Sequence, residues 1–353
     1  MSLGGEVTGI GLMAQNGLGL VSKATALLLS GLLAIAPADL QGVADHGIFK
    51  DDQVPPLERD MDPCNATIDV NQYLVSAPEK IKAGLLYDLN ENRIVWEKNM
   101  DSTVAIASLT KIMVALIAME EVKSGRISMD SLFVVPKAAT LVGGSRINLR
   151  AGAKVHMEDL VRAAMIRSGN DAAYTLAHGI AGSEALFVAR MNTRAAEMGL
   201  DKTRFYNSTG MPIRTPGGID NHSSAADILI LSSSLMRFNS ILDFTSRCTD
   251  TLCSGTIRVP YLNTNGLVRE FNADVDGLKT GFTNNAGYCI VATSKRCDHR
   301  LVAVVLGAPT KYDRNIVTAE MLSSYYNSIG LGRLGEDLAE LAGTPAPVED
   351  SEE

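Results

Sequence analysis

The sequence lacks the residue patterns by which many proteins hold metal ions or nucleic acids. None of its five cysteines belongs to a Cys-x-x-Cys pair, and its five histidines form no His-Glu-x-x-His spacing. We therefore expect no metal site and no cofactor. The 353-residue chain contains no basic run and has a formal net charge of -8, which argues against nucleic acid as its main partner.

Long apolar segments are also scarce, and the main one lies near the N-terminus. Lys23 precedes the apolar run 24–36, and Ala36, Pro37 and Ala38 form an Ala-x-Ala cleavage pattern. The run is shorter than the roughly 20 residues of a membrane span, so it is typical of a secretory signal peptide, with a buried core helix as the alternative. We predict a signal peptide over 1–38, a location outside the cytoplasm (periplasmic, secreted or in the cell wall) and no stable membrane anchor after cleavage.

The rest of the chain divides into three parts. Residues 39–80 are rich in Asp, Pro and Gln without clear periodicity, which predicts a poorly ordered leader. Residues 81–328 carry the regular patterns of a folded domain, and 329–353 form an acidic tail that we expect to be disordered. Within the domain, Cys248 and Cys253 would close a small disulfide loop in an oxidising compartment, or remain free thiols.

The predicted domain begins and ends with strands and is helical in between. Two strands at 83–88 and 93–97 form a hairpin. Helices are predicted over 106–122, 156–167, 171–180, 184–198 and 224–236, strands over 275–280, 287–293 and 301–306, and a last helix over 314–326. If the two strand groups join in one antiparallel sheet, the central helices make a second lobe. The result is an α+β fold with a cleft between sheet and helices, a usual place for a binding pocket.

A serine and a lysine three residues apart form the first chemical motif, Ser108-Leu109-Thr110-Lys111. That spacing puts both side chains on one face of a helix. A serine hydroxyl is a poor nucleophile until a neighbour takes its proton. Lys111 can act as that general base only as a neutral amine, a form favoured by burial and by a second cation such as Lys279. The alternative is that Ser108 only caps a helix whose Lys111 faces water.

Two further motifs follow in order, Ser168-Gly169-Asn170 and Lys279-Thr280-Gly281. Ser168 would relay a proton between Lys111 and a leaving group, and the Asn170 amide would hold Lys111 and a substrate carbonyl, although a plain loop between two helices is the alternative. Lys279 lies in an apolar strand pattern and needs a partner there. Gly281 lets a ligand approach the backbone, so Lys279 and Thr280 would bind a carboxylate while the strand pairs with an extended peptide.

The ordered set resembles the low-molecular-mass penicillin-binding proteins, which are D-alanyl-D-alanine carboxypeptidases of serine peptidase family S11. The resemblance covers about 83–326 and includes the segments 107–113, 143–145, 168–172, 182–184, 276–283 and 286–288. It implies the penicillin-recognising serine hydrolase (β-lactamase-like) fold, an antiparallel sheet flanked by helices plus a helical subdomain. It also implies an acyl-enzyme on Ser108, an oxyanion hole from the backbone N–H groups of Ser108 and Phe282, and a carboxylate-binding arginine at Arg314.

The activity implied by this resemblance is removal of the terminal D-alanine from peptidoglycan pentapeptides, with β-lactam antibiotics as covalent inhibitors. One alternative is a serine β-lactamase, but no Glu-x-x-Leu-Asn lies between Ser168 and Lys279. Another is a β-lactam-binding sensor without turnover. Two departures from the family pattern stand out: Phe282 replaces a histidine found in some relatives, and the second all-β domain and amphipathic anchor of many relatives are not expected after Tyr326.

Overall fold

The computed structural model of the chain describes residues 78–213, 218–254 and 257–336, and all structural statements below concern these residues. The predicted signal peptide, nearly all of the predicted leader, Cys64 and residues 337–353 of the predicted tail lie outside them.

The described residues form eleven strands and eight α-helices. The strands are β1 (Ala83–Asp88), β2 (Arg93–Lys98), β3 (Val104–Ala105), β4 (Leu132–Val134), β5 (Lys154–His156), β6 (His222–Ser223), β7 (Thr249–Ser254), β8 (Ile257–Leu262), β9 (Val275–Thr283), β10 (Gly287–Arg296) and β11 (His299–Ala308). The helices are α1 (Lys111–Lys123), α2 (Met157–Arg162), α3 (Asn170–Ala181), α4 (Glu184–Glu197), α5 (Ala225–Met236), α6 (Asn239–Thr245), α7 (Gly266–Glu270) and α8 (Lys311–Ser328). Short 3-10 helices cover Pro78–Lys80, Ala107–Thr110 and Lys137–Leu141, and a π-helical turn covers Ala163–Arg167.

Five strands form the central sheet in the order β2-β1-β11-β10-β9, and every neighbouring pair is antiparallel. The two strand groups at the ends of the chain therefore meet in one sheet, as predicted. Strand β9, which contains Lys279, Thr280 and Gly281, lies at the edge of this sheet. One side of β9 is consequently free of any strand partner within the described chain.

Alternate residues of the central strands divide the core into two layers. Val302 and Val304 of β11 pack into the cluster formed with the helical lobe, whereas Ala303 and Val305 pack with Met321 and neighbouring residues of α8. This alternation follows from the two-residue repeat of a strand whose two faces are both covered. The sheet is thus buried between α8 and the helical lobe that carries the serine motif.

The structure confirms the predicted hairpin, the helical middle and the closing helix, with three differences. Helix α1 begins only at Lys111, because Ala107 has a φ of +47° and the following turn is a 3-10 helix. The predicted helix 156–167 ends in the π-helical turn. Strands β10 and β11 extend beyond their apolar segments because the tight turn at Cys297 and Asp298 keeps polar residues paired, as Arg296 is with His299.

The C-terminal boundary differs from expectation, and the structure decides between the two alternatives for Cys248 and Cys253. The packed chain continues past residue 328: Leu334 is buried, its N–H donates to Ser323 Oγ, and the Gly335 N–H donates to Asp274 Oδ2. The Cys248 and Cys253 thiols are free, so the possible disulfide between them is not formed. Strands β7 and β8 lie between Cys248 and Asn263 in the chain. They were not predicted because their residues mix polar and apolar types without a regular alternation.

Two further observations concern the described residues alone. They include no single helix long and apolar enough to cross a membrane, although α5 and α6 taken together, with a bend of 104° between them, meet the same length and composition criteria. They also include no group of three or more His, Cys, Asp or Glu side chains arranged to hold a metal ion.

Candidate active site

The serine and lysine of the first motif are in direct contact. Lys111 Nζ lies 2.9 Å from Ser108 Oγ and 2.6 Å from the Thr209 carbonyl oxygen, to which it donates a hydrogen bond. Lys111 has no exposed surface, while Ser108 is half-buried. The alternative in which Lys111 faces water is therefore wrong.

Burial sets the protonation state of this lysine. It lowers the pKa of Lys111 from 10.5 to about 7, against the opposing effect of the Asp171 carboxylate. A large fraction of Lys111 is consequently neutral at neutral pH. Lys279, the predicted second cation, lies close enough to interact with Lys111. Burial first, then repulsion from Lys111 and Arg314, holds the pKa of Lys279 well below its ordinary value and favours its neutral form. Burial is thus the cause that keeps Lys111 largely neutral.

The carbonyl that contacts Lys111 belongs to a turn at 207–210 that our sequence analysis missed. Asn207 Oδ1 accepts hydrogen bonds from the Thr209 N–H, the Thr209 hydroxyl and the Gly210 N–H. Glu184 Oε1 accepts from the Ser208 N–H and hydroxyl. The run Asn-Ser-Thr-Gly is the composition of a tight turn, and that signal could have identified the segment.

Glycine is required where this turn meets the nucleophile. Gly210 has a φ of +82°, and a Cβ on it would lie 2.0 Å from the Ala107 carbonyl oxygen. From the other side, a Cβ on Gly281 would lie 3.1 Å from the Ser108 backbone nitrogen. Ser108 is thus held between the 207–210 turn and the edge strand β9.

The second motif begins where the π-helical turn ends. Ser168 is buried with a φ of +63°, a conformation that reverses the chain before α3. Asn170 donates from Nδ2 to the Gly143 carbonyl at 2.6 Å, and its N–H donates to the Ser145 carbonyl at 2.8 Å. Neither the Ser168 hydroxyl nor Asn170 Oδ1 has a hydrogen-bond partner in the described chain. The predicted contact of the Asn170 amide with Lys111 is not formed, because Nδ2 is bonded to Gly143, but the free Oδ1 remains able to accept a hydrogen bond.

The third motif occupies the middle of β9. Lys279 is 1% exposed, and its Nζ donates to the Thr280 carbonyl at 2.7 Å. The Thr280 hydroxyl donates to Thr264 Oγ1 at 2.8 Å, and that hydroxyl in turn donates to the Ile166 carbonyl. These bonds tie the edge strand, through Thr264, to the π-helical turn that precedes the second motif.

Arg314 lies near this strand, in the first turns of α8. Its side chain is 3% exposed, and burial lowers its pKa to about 10. Within the described chain, neither Arg314 nor Lys279 forms an ion pair with a carboxylate. Phe282 is 47% exposed and stacks on Tyr288, with 4.2 Å between the ring centroids.

The arrangement therefore combines a serine hydroxyl, a lysine with a pKa near neutrality and two buried basic groups, Lys279 and Arg314, without acidic partners. The first pair suits nucleophilic attack on a carbonyl. The Arg314 guanidinium suits an anionic group on the substrate, and such an anion beside Lys279 would favour the protonated form of that lysine.

Comparisons with known proteins agree with this chemistry. The Peptidase S11 family, described as D-alanyl-D-alanine carboxypeptidase, matches residues 72–310. The chain is 38% identical over 242 residues to the D-alanyl-D-alanine carboxypeptidase DacF of Bacillus subtilis, covering 68% of this chain and 61% of DacF. It is 30% identical over 233 residues to the D-alanyl-D-alanine endopeptidase of Escherichia coli, covering 65% of this chain and 72% of that protein.

A solved structure extends the similarity to the fold. Ampicillin-bound penicillin-binding protein D2 from Listeria monocytogenes matches with a TM-score of 0.62 at 30% identity, covering 69% of this chain and 97% of that one. The fold is therefore the penicillin-recognising serine hydrolase fold. The chain spans about three fifths of the length of curated carboxypeptidases such as DacF. By the match over 72–310, the chain belongs to the D-alanyl-D-alanine carboxypeptidase family, Peptidase S11.

Proposed function

We propose that this protein is a serine-type D-Ala-D-Ala carboxypeptidase that removes the terminal D-alanine from peptidoglycan pentapeptides through a Ser108 acyl-enzyme. The observation that carries the proposal is the 2.9 Å contact between Ser108 Oγ and the buried Lys111 amine, whose pKa burial lowers to about 7. The names of the relatives support the substrate class, since they include D-alanyl-D-alanine carboxypeptidases and an endopeptidase.

Acylation begins with proton transfer from Ser108 to Lys111. In the neutral amine one N–H is bound to the Thr209 carbonyl, which leaves the lone pair available to Ser108 Oγ. The oxygen attacks the carbonyl of the penultimate D-alanine, and the backbone N–H groups of Ser108 and Phe282 would stabilise the oxyanion. The C–N bond then breaks, and Lys111 returns its proton to the leaving amine through the Ser168 hydroxyl.

Binding places the scissile bond at Ser108. The peptide would add to the free edge of β9 beside Gly281 as an extended strand, and Asn170 Oδ1 would accept a hydrogen bond from Lys111 or from the substrate. The terminal carboxylate would be held by Arg314 and Lys279, and by the Thr280 hydroxyl once its O–H turns from Thr264 toward the ligand. The Arg314 guanidinium, with Lys279 protonated beside the bound anion, would make this site selective for a free carboxylate, as expected of an enzyme that removes one C-terminal residue.

Hydrolysis completes the cycle when water attacks the ester with Lys111 again taking a proton. β-Lactam antibiotics carry a reactive amide and a carboxylate in similar positions, so we propose that they acylate Ser108 as covalent inhibitors. A β-lactamase would need rapid deacylation. Glu184, whose carboxylate lies beside the 207–210 turn, is instead bonded to Ser208, which favours the carboxypeptidase.

The decisive assay measures free D-alanine released from diacetyl-Lys-D-Ala-D-Ala, beside hydrolysis of a chromogenic cephalosporin. We expect D-alanine release and slow cephalosporin turnover, both lost in Ser108→Ala and retained in Ser102→Ala, a matched change at an exposed serine. Labelling by fluorescent penicillin without D-alanine release would support a sensor. Fast cephalosporin turnover without peptide hydrolysis would support a β-lactamase, and cleavage confined to cross-linked peptides would support an endopeptidase.

We also propose that residues 1–38 direct the protein out of the cytoplasm, where peptidoglycan lies. The substrate class and the charge and hydropathy pattern of the segment support this location. N-terminal sequencing of secreted material should find a mature chain beginning near Asp39. Secreted protein that still contains residues 24–36 would show that this segment is not cleaved, contrary to the prediction.

A further inference from the structure

The guanidinium of Arg314 is held by the residue that follows it. Arg314 Nε and Nη2 both donate to Asn315 Oδ1, at 3.0 and 2.7 Å. These two nitrogens form the lateral edge of the planar guanidinium, so one amide oxygen occupies that edge completely. The terminal edge, formed by Nη1 and the second N–H of Nη2, is left for another acceptor.

That terminal edge is free and accessible. Nη1 makes no hydrogen bond in the described chain, yet it is not among the buried polar atoms that are sealed from solvent without a partner. In contrast, Nη1 of the buried Arg296 is sealed and unpartnered. A carboxylate can therefore meet Arg314 through two parallel hydrogen bonds only at the terminal edge.

The nature of the acceptor matters as much as its position. Asn315 contributes a neutral oxygen, so it orients the guanidinium without compensating its positive charge. An acidic residue would form an ion pair on the same edge and would weaken the attraction for a second carboxylate. Because Lys279 is also without an acidic partner, both basic groups remain available to a ligand.

The Asn315 amide lies close to α7. A Cβ on Gly266, the first residue of α7, would lie 2.6 Å from Asn315 Nδ2. Gly266 follows the N-cap Asn265 and needs no left-handed backbone, so the space for the amide is the reason for glycine here. Gly266 thus leaves the room in which the Asn315 amide lies beside Arg314.

We propose that Asn315 is a positioning residue that presents the terminal edge of Arg314 to the substrate carboxylate and leaves its charge uncompensated. The inference deepens the proposed function and rests on it for the identity of the peptide substrate. It assigns carboxylate selectivity to Asn315 and Gly266, which do not contact the substrate.

The first test is Asn315→Asp, which adds one carboxylate on the lateral edge of Arg314. We expect KM for diacetyl-Lys-D-Ala-D-Ala to rise about tenfold or more with kcat within about twofold, because an interaction in the bound ground state is weakened. The same peptide with a C-terminal amide should be cleaved by the variant and the wild type at similar efficiency. Asn327→Asp, an equal charge change at an exposed position of α8, should alter neither substrate. Equal losses on acid and amide, or an unchanged KM for the acid, would overturn the proposal.

The second test is Gly266→Ala, which crowds the amide without adding charge. Alanine is the better helix former, so α7 is not weakened, and KM for the free acid should rise severalfold while the amide is unaffected. An unchanged KM for the free acid would contradict the part assigned to Gly266.

Penicillin acylation separates this proposal from the proposed function. Asn315→Asp should slow acylation by benzylpenicillin, which has a free carboxylate, much more than acylation by its methyl ester. This contrast would support the positioning role even if the wild type released no D-alanine, a result that would sink the carboxypeptidase alone. Equal slowing of both compounds, or a wild type that reacts with neither peptide nor penicillin, would overturn the role of Asn315.

Discussion

Replacing the general base should inactivate the protein and stabilise it in the same step. Lys111→Met removes the amine that accepts the Ser108 proton, so acylation by penicillin should fall by several orders of magnitude. It also removes a charge-bearing group from a fully buried position. The pKa of that group falls from 10.5 to about 7 on folding, so the unfolded chain binds more protons than the folded one between these values.

The sign and size of the effect of Lys111 on the free energy of unfolding follow from this difference in bound protons. Below pH 7 the lysine destabilises the folded state by about 5 kcal/mol, at about 1.4 kcal/mol per pKa unit, and this cost fades as pH rises toward 10.5. The cost is about 4 kcal/mol at pH 7 and about 2 kcal/mol at pH 9. The variant leaves the Thr209 carbonyl without its donor, which costs about 1–3 kcal/mol. Relief of the repulsion on Lys279 acts in the stabilising direction.

Urea unfolding at pH 7 and pH 9 measures the effect. We expect Lys111→Met to exceed the wild type by roughly 2 kcal/mol at pH 7 and to lose about 2 kcal/mol of that advantage by pH 9. Lys123→Met, at the exposed end of α1, is the matched control and should change stability by less than about 0.5 kcal/mol at either pH. A Lys111→Met advantage that stays constant or grows between the two pH values would refute the lowered pKa of Lys111.

Three other predictions concern the groups around the nucleophile. Gly210→Ala places a Cβ 2.0 Å from the Ala107 carbonyl oxygen at a residue whose φ is +82°. The resulting strain of about 1–3 kcal/mol should slow penicillin acylation about 10- to 100-fold. A rate near wild type would show that the 207–210 turn does not position Ser108. Asp171→Asn removes the charge that raises the pKa of Lys111, so the acid limb of the acylation pH profile should move to lower pH, and a shift in the opposite direction would contradict that effect. Arg314→Ala should raise KM for the free-acid peptide about 10- to 100-fold, Arg314→Lys should not fully restore it, and an equal loss on the amidated peptide would exclude Arg314 as the carboxylate ligand.

The elements that carry the motifs could be predicted from local patterns. Strand β9 belongs to a short, largely apolar segment that contains Lys279, and α1 shows a continuous apolar run after Lys111. The proximity of these two lysines followed from the chemistry, because a serine nucleophile needs a neutral amine and a second cation favours one. The structure places them close enough to repel each other.

The tertiary contacts that hold the site residues in place could not be predicted from local patterns. The contact of Thr209 with Lys111 joins residues 98 positions apart, and no local periodicity reports such a contact. The 3-10 turn at Ser108 depends on packing between Ala107, Gly210 and Gly281, whereas the sequence showed only a helical pattern. The role of Asn315 could not be predicted for a similar reason, because it depends on the space that Gly266 leaves on another helix.

The central claim is that Ser108 is activated by a neutral, buried Lys111. The most direct measurement is the second-order rate constant for acylation by benzylpenicillin as a function of pH from about 5 to about 9. The rate should rise about tenfold per pH unit at the acid end and level off above an apparent pKa of about 7. A rate that is flat across this range, or that falls as the pH rises from about 6 to about 8, would contradict Lys111 as the general base.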